Sequence, residues 1–235
     1  MAERTVTGIA AFIITLMMLL GSSCGGAKSS FEGRMETVVG NVKLSGKPAK
    51  PDERLTVGSE VLTGPNSFCD IVFGGKNIIR VMEKSDVIFK ITEFTRILNV
   101  KQGGLESVLR NLKSAKNNSN DSFQVESSTA VASVRGTTFY VMVDASSNTS
   151  ICACNGVVDM GSPVDTNRLR VESVHHTGFY FTRTTNGYQH QAVNINPKDD
   201  TEMKKLAGHN DAELEELAAK IGEKIDWTKV DRHEK

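Results

Sequence analysis

Two thiols stand two residues apart at Cys152-Ala153-Cys154, and imidazoles follow at His175-His176 and at Gly208-His209. In an extended strand, residues i and i+2 leave the same face, so Cys152 and Cys154 would present their sulfurs together. Two such thiols with one or two imidazoles make a Cys2His2-type set for zinc, or a softer site for copper, iron or haem. The metal keeps such thiolates deprotonated, which is why they bind strongly. The candidate ligands are therefore Cys152, Cys154, His175, His176 and His209. Cys-x-Cys is shorter than the Cys-x2–4-Cys spacing of a zinc knuckle, so a strand and not a turn would have to align the sulfurs. Two other readings compete. The cysteines are small core residues, since free cysteine is among the most buried types, and the histidines are surface or satisfied core groups. Alternatively a disulfide joins Cys152 to Cys154 or Cys69 to Cys152, within the limits of strand geometry.

The fourth cysteine, Cys24, has different surroundings. Ile9 to Leu20 form a twelve-residue apolar run, followed by Gly21-Ser22-Ser23-Cys24-Gly25-Gly26. Such a core ending in small residues reads as a secretory signal peptide. It is short for a bilayer span, which takes about 20 apolar residues. The LLGSSC ending resembles the lipobox of bacterial lipoproteins, which implies lipidation of Cys24 and a mature chain that starts there. An ordinary secretory signal with an incidental cysteine is the other reading. A signal peptide over 1–23, an anchor at Cys24 and a flexible tether over 24–34 are expected. With Cys24 lipidated, Cys69, Cys152 and Cys154 remain, an odd set for an oxidising compartment.

These residues need elements to hold them. From Met35 to Met160 the sequence alternates in short β-rich runs, with turn signals about every ten residues. Cys69, Ile71 and Phe73 fall on one strand face and Asp70 on the other. Leu105, Val108, Leu109 and Leu112 have helical spacing and read as a short helix or a strand with a frayed end. Asn117 to Asp121 form a polar loop. His175 and His176 fall in a further strand, which would point them to opposite faces. Asn186-Gly187 signals a hairpin in a β-extension over 161–200. Over 201–235 the period changes. Leu214, Leu217, Ala218, Ile221 and Ile225 mark an amphipathic helix, capped by Asn210 or Asp211, that should dock on the β-domain. The expected fold is mainly β: an antiparallel sandwich or roll of short strands, a hairpin extension and one C-terminal amphipathic helix.

The stretch 35–160 resembles the FecR domain of bacterial envelope regulators. Gly40-Asn41-Val42 opens it, and Leu55 to Thr63 and Ser67 to Gly75 resemble the next two segments. The sharpest part is Thr129 to Val141, TAVASVRGTTFYV, with Val134, Arg135, Gly136, Thr137 and Phe139 at the motif positions. Asn155 to Val158 resemble its close. Extended geometry puts Val134, Gly136, Thr138 and Tyr140 on one face. Gly136 permits a bulge there. Arg135 is expected as a buried structural arginine bonded to carbonyls or a carboxylate. The resemblance implies a domain that binds or senses partners in the cell envelope. The cytoplasmic sigma-regulating segment and membrane helix of such regulators are not expected, since eight residues precede the apolar run.

Charge and motif searches narrow the function classes. Lys+Arg and Asp+Glu are both 28, so the formal net charge is zero. That removes the electrostatic case for nucleic acid. No serine nucleophile elbow, phosphate loop or HExxH motif is present. Asp199-Asp200 and Glu215-Glu216 read as solvated faces. The expectation is a non-enzymatic, lipid-anchored, extracytoplasmic protein, membrane-bound through Cys24, that binds an envelope protein or small ligand. The alternative is an envelope lipoprotein that binds zinc, iron or haem through the Cys/His residues.

Overall fold

The computed structural model describes residues 33–91, 96–110, 112, 123–193 and 208–232. The signal peptide, Cys24, the tether up to residue 32, the loop 117–121 and the pair Asp199-Asp200 lie outside them. In chain order the strands are β1 (Gly33–Val39), β2 (Val42–Leu44), β3 (Lys47–Pro48), β4 (Arg54–Leu55), β5 (Ser59–Thr63), β6 (Phe68–Phe73), β7 (Asn77–Val81) and β8 (Asp86–Ile91). They continue as β9 (Arg96–Leu109), β10 (Phe123–Glu126), β11 (Val131–Val134), β12 (Thr138–Val143), β13 (Thr149–Gly161), β14 (Leu169–Ser173), β15 (Thr177–Thr184) and β16 (Gly187–Val193). One helix follows, α1 (Asp211–Lys220). The β-rich reading of the sequence is correct. The last two tether residues, Gly33 and Arg34, already belong to β1.

Hydrogen bonding builds two layers. The first runs β4-β1-β6-β7-β9-β12-β13-β15-β16 and the second β3-β2-β5-β8-β9-β10-β11-β13-β14. All of these pairs are antiparallel except β9 with β10. The two long strands belong to both layers. β9 pairs with β10 through Ile97–Asn99 and with β12 through Gly103–Val108. β13 pairs with β12 up to Asn155 and with β11 from Val158 onward. The residues around Leu105 are thus strand and not helix. Leu105 and Leu109 face the core between the layers, and Val108 faces outward beneath α1. A strand buried on both faces loses its alternation, and its apolar spacing mimics a helix.

The core lies between the layers, with Phe89, Phe123, Phe139, Ile71, Ile79 and Leu98 among its fully buried members. The opposite face of the first layer is covered too. Ile78 and Val108 pack against Leu217 and Ala218 of α1, and Tyr140, Cys152 and Cys154 against Leu214. Asn210 caps the helix, its side-chain oxygen accepting from the Glu213 amide at 2.9 Å. Such a cap contributes about 1 kcal/mol. Beneath the helix, Arg80 grips Asp70 with two hydrogen bonds of 2.7 and 3.1 Å. Glu216 and Lys220 join this network, so Glu216 is not simply solvated.

Several local expectations are revised. Arg135 is exposed, because the chain leaves β11 at Val134, turns through Arg135-Gly136 and enters β12 in the other layer. The single alternating strand expected across this motif is therefore a corner. Gly136 is buried with φ of +112°, and Thr137 locks the corner. The Thr137 hydroxyl donates to the Val157 carbonyl at 2.8 Å and accepts from the Val157 amide at 3.3 Å. The hairpin between β15 and β16 turns at Thr185-Asn186, one residue before the expected pair, with Thr184 opposite Gly187. β14 and β15 of the β-extension both pair with β13.

Candidate metal centre

Cys152 and Cys154 lie in β13, on the face turned away from the main core. Their neighbours Ile151 and Ala153 point into that core. Phe139 pairs with Ala153 and Thr138 with Asn155, so Cys154 is the extra residue of a β-bulge. The bulge occurs just before β13 passes from one layer to the other. His175 and His176 are not in a strand. They occupy the turn between β14 and β15, where His176 has φ of +49°. That turn brings both rings to one side, against the expectation of opposite faces. His209 arrives from the C-terminal arm, just ahead of the cap of α1. Its ring stacks on Tyr140 with centroids 4.2 Å apart. The preceding Gly208 has φ of +80°, and a Cβ there would come within 2.1 Å of the Tyr140 hydroxyl. Only glycine brings the backbone this close.

Four of the five candidate ligands converge. The donor atoms of Cys152, Cys154, His176 and His209 all lie within 4.8 Å of one another. Cys152 Sγ is 3.4 Å from His176 Nδ1, Cys154 Sγ is 3.3 Å from His209 Nε2, and the two ring nitrogens are 3.3 Å apart. All four residues are buried, at 0–6% exposure. Zinc bonds of about 2.3 Å to sulfur and about 2.05 Å to nitrogen place tetrahedral ligands about 3.3 Å (N to N) and about 3.5 Å (N to S) apart. The one N-to-N and two N-to-S separations given above are close to those values. They leave room for one ion at the centre and none for a porphyrin, so haem does not fit.

The fifth candidate, His175, stands outside this set and supports it. Asp211 accepts from both neighbours: His176 Nε2 is 2.7 Å from its Oδ1, and His175 Nε2 is 2.7 Å from its Oδ2. The carboxylate fixes the His176 tautomer, leaving Nδ1 turned toward the sulfurs. A carboxylate behind a ligating histidine is the common outer support of a metal site. Trp227 covers the pair, 4.6 Å from the His175 ring and 5.4 Å from that of His176.

The electrostatics suit a cation. Burial opposes ionisation of Cys152, but hydrogen bonds from Cys154, His176 and His209 overcome it and hold the thiol well below its ordinary range. Burial and the neighbouring Cys152 charge push Cys154 well above it. Burial disfavours the His176 cation, yet Asp211 and Cys152 raise that ring to about 9. Asp211 is held below the usual carboxylate range by the two imidazoles, against the effect of burial.

Cys69, Cys152 and Cys154 are free thiols, so neither considered disulfide forms. Cys69 sits in the core between the layers while Cys152 and Cys154 face outward. Cys152 and Cys154 belong to one strand, where strand geometry works against a bond. Burial raises the Cys69 thiol strongly. Sequence reasoning missed Asp211 as a histidine partner, since it read the residue as a helix cap. It also missed Asn155, whose side-chain amide donates to the carbonyls of Val174, Asp226 and Lys229. Trp227, the chain's one tryptophan, carried no spacing signal.

The architecture is a two-layer β-domain with bridging strands and a helical arm closed over one face. Residues 59–159 match the family described as FecR protein. No curated protein matches the chain. Among solved structures, two crystal structures of Parabacteroides distasonis ATCC 8503 proteins, each described as a "putative anti-sigma factor", are similar. One shares 12% identity over 57% of this chain and 59% of that one, with a TM-score of 0.44. The other shares 13% over 59% and 60%, with a TM-score of 0.45. The chain thus spans less than two thirds of those proteins. Among the described residues, no helix is long and apolar enough to cross a membrane.

Proposed function

We propose that this chain is a non-enzymatic regulatory or sensing protein of the bacterial cell envelope, anchored through lipidated Cys24, that carries one tetrahedral zinc ion between its β-domain and its C-terminal arm. Cys152, Cys154, His176 and His209 hold the metal. The observation that carries this reading is the convergence of four buried donor atoms within 4.8 Å, three of their separations being 3.3–3.4 Å. Four protein ligands leave no open coordination position for a substrate, which favours a structural or regulatory ion over a catalytic one. Two thiols and two imidazoles suit zinc over the harder cations, which take oxygen ligands. The FecR match supports the envelope and regulatory part, and the LLGSSC leader supports the anchor.

The test is metal content of the full chain, purified under reducing conditions and supplied with zinc. One zinc per chain is expected. Cys152→Ser, Cys154→Ser and His209→Gln should each lower retention after dialysis against a weak chelator, while Cys69→Ser should not. Wild-type protein that retains no stoichiometric metal would remove the reading.

A further inference from the structure

Resting on that metal centre, we infer that the ion is a latch. It fastens the C-terminal arm, residues 208–232, over a helix-accepting groove on the outer face of the β-domain, and metal withdrawal opens that groove. The ligands divide unevenly. Cys152, Cys154 and His176 come from the β-domain, whereas His209 comes from the arm. The arm also supplies Asp211, the carboxylate behind His176. Each therefore gives the other what it lacks: the domain holds three donors, and the arm completes the set.

The covered face has the character of a groove built for a helix. Ile78 and Val108 are fully buried there in one cluster with Leu217 and Ala218 of α1. Asp70 and Arg80 form a charged row in the middle of this apolar surface. The row is matched by Glu216 and Lys220, four residues apart on α1. An amphipathic helix with an acid and a base at that spacing is what the face fits, and the chain's own arm is the occupant.

The arm's own structure makes it releasable. α1 has ten residues, and a helix that short is marginal in water without its packing surface. Docking and helix formation are therefore one step. Beyond α1 the arm is tied by Lys76–Glu223 and Arg232–Glu172, ion pairs at exposed positions that contribute little. Arg110–Asp231 and the Asn155 amide add further ties. The metal set is the one tie that depends on a solute, so its occupancy sets how firmly the arm is held.

Trp227 reads the latch directly, because it is the single tryptophan and lies on His175 and His176. The full chain is compared in its zinc-loaded form, after zinc chelation and after addition of one equivalent of zinc. Zinc content is measured on the same samples. Chelation should shift Trp227 emission to longer wavelength and speed tryptic cleavage at Lys220, Lys224 and Lys229 by about tenfold or more. One equivalent of zinc should reverse both. A fluorescein-labelled peptide of residues 208–226 should bind the chelated chain and not the loaded one. His209→Gln keeps the three donors of the β-domain, so it should uncouple the Trp227 signal from stoichiometric zinc. Zinc bound one to one, with emission and cleavage unchanged by its removal, would overturn the latch and leave the metal centre standing. Absence of stoichiometric zinc in the wild type would overturn both.

Discussion

Metal removal should cost this protein a measurable part of its stability. Without an ion, the site leaves two thiols and two imidazoles packed at 3.3–3.4 Å with 0–6% exposure. A ligand that binds only the folded state stabilises it by RT ln(1 + [L]/Kd), which is about 4 kcal/mol when free zinc is a thousandfold above Kd. In a chain of 235 residues each kcal/mol moves the melting point by about 2–4 °C. Saturating zinc should therefore raise the midpoint by roughly 8–16 °C over the chelated form, a range set by that linkage and size scaling. The assay is thermal unfolding followed by circular dichroism or calorimetry over a zinc titration. The midpoint should climb with the logarithm of free zinc once the site saturates. Cys152→Ser should flatten that climb, and Cys69→Ser should keep it. A wild-type midpoint that does not move across the titration would refute the reasoning. So would an equal climb in Cys152→Ser, because zinc would then be binding elsewhere.

Asp211→Asn keeps the helix cap region but removes the carboxylate from His175 and His176. Zinc affinity should fall by about 10–100-fold with the fold retained, read by competition with a chromogenic chelator. Gly136→Val forces a β-branched residue to φ of +112° at a buried corner and should destabilise by about 1–3 kcal/mol in denaturant unfolding. An unchanged midpoint would show that the corner relaxes without strain. Cys24→Ala should abolish incorporation of labelled lipid in cells. Continued labelling of that variant would place the anchor elsewhere, and absence of label in the wild type would remove it. Leu217→Ala should cost about 2–5 kcal/mol by leaving a cavity over Ile78 and Val108.

The sequence revealed the parts of the fold that depend on local periodicity. Cys69, Ile71 and Phe73 alternate into the core while Asp70 turns outward, because one layer separates two distinct environments. The helical stripe at Leu214, Leu217 and Ala218 is equally plain, since one side of α1 is buried. Legibility fails where both faces are buried or where a single residue leaves the regular conformation. Leu105 to Leu109 looked helical because Val108 is covered by α1 and its neighbours by the other layer. His175 and His176 looked like opposite faces of a strand, until φ of +49° at His176 swung both rings onto Asp211. Arg135 looked buried because the motif reads as one strand, whereas the chain changes layers there. The meeting of β13, the β14–β15 turn and the arm is a matter of tertiary topology, and no spacing in the sequence encodes it.

The corner and the metal set are mechanically connected. Thr137 is bonded to both backbone groups of Val157, which fixes the place where β13 leaves one layer for the other. Cys154 bulges just before that place, and Asn155, next in sequence, ties down the arm through Asp226 and Lys229. Residues matched by the FecR family thus position two sulfurs at a defined exit from the sheet. The family match ends at residue 159, while His176 and His209 lie beyond it. The donor set is therefore split between residues inside and outside the matched segment. The sulfurs ride on the bridging strand β13, and the imidazoles come from the turn and arm that follow it in the chain. A fragment ending at residue 160 would keep the family-matched segment and both thiols but lose both nitrogens. The reading of this site consequently cannot be borrowed from the FecR domain as such. It rests on the turn and the arm that this chain places against the thiol-bearing face of the β-domain.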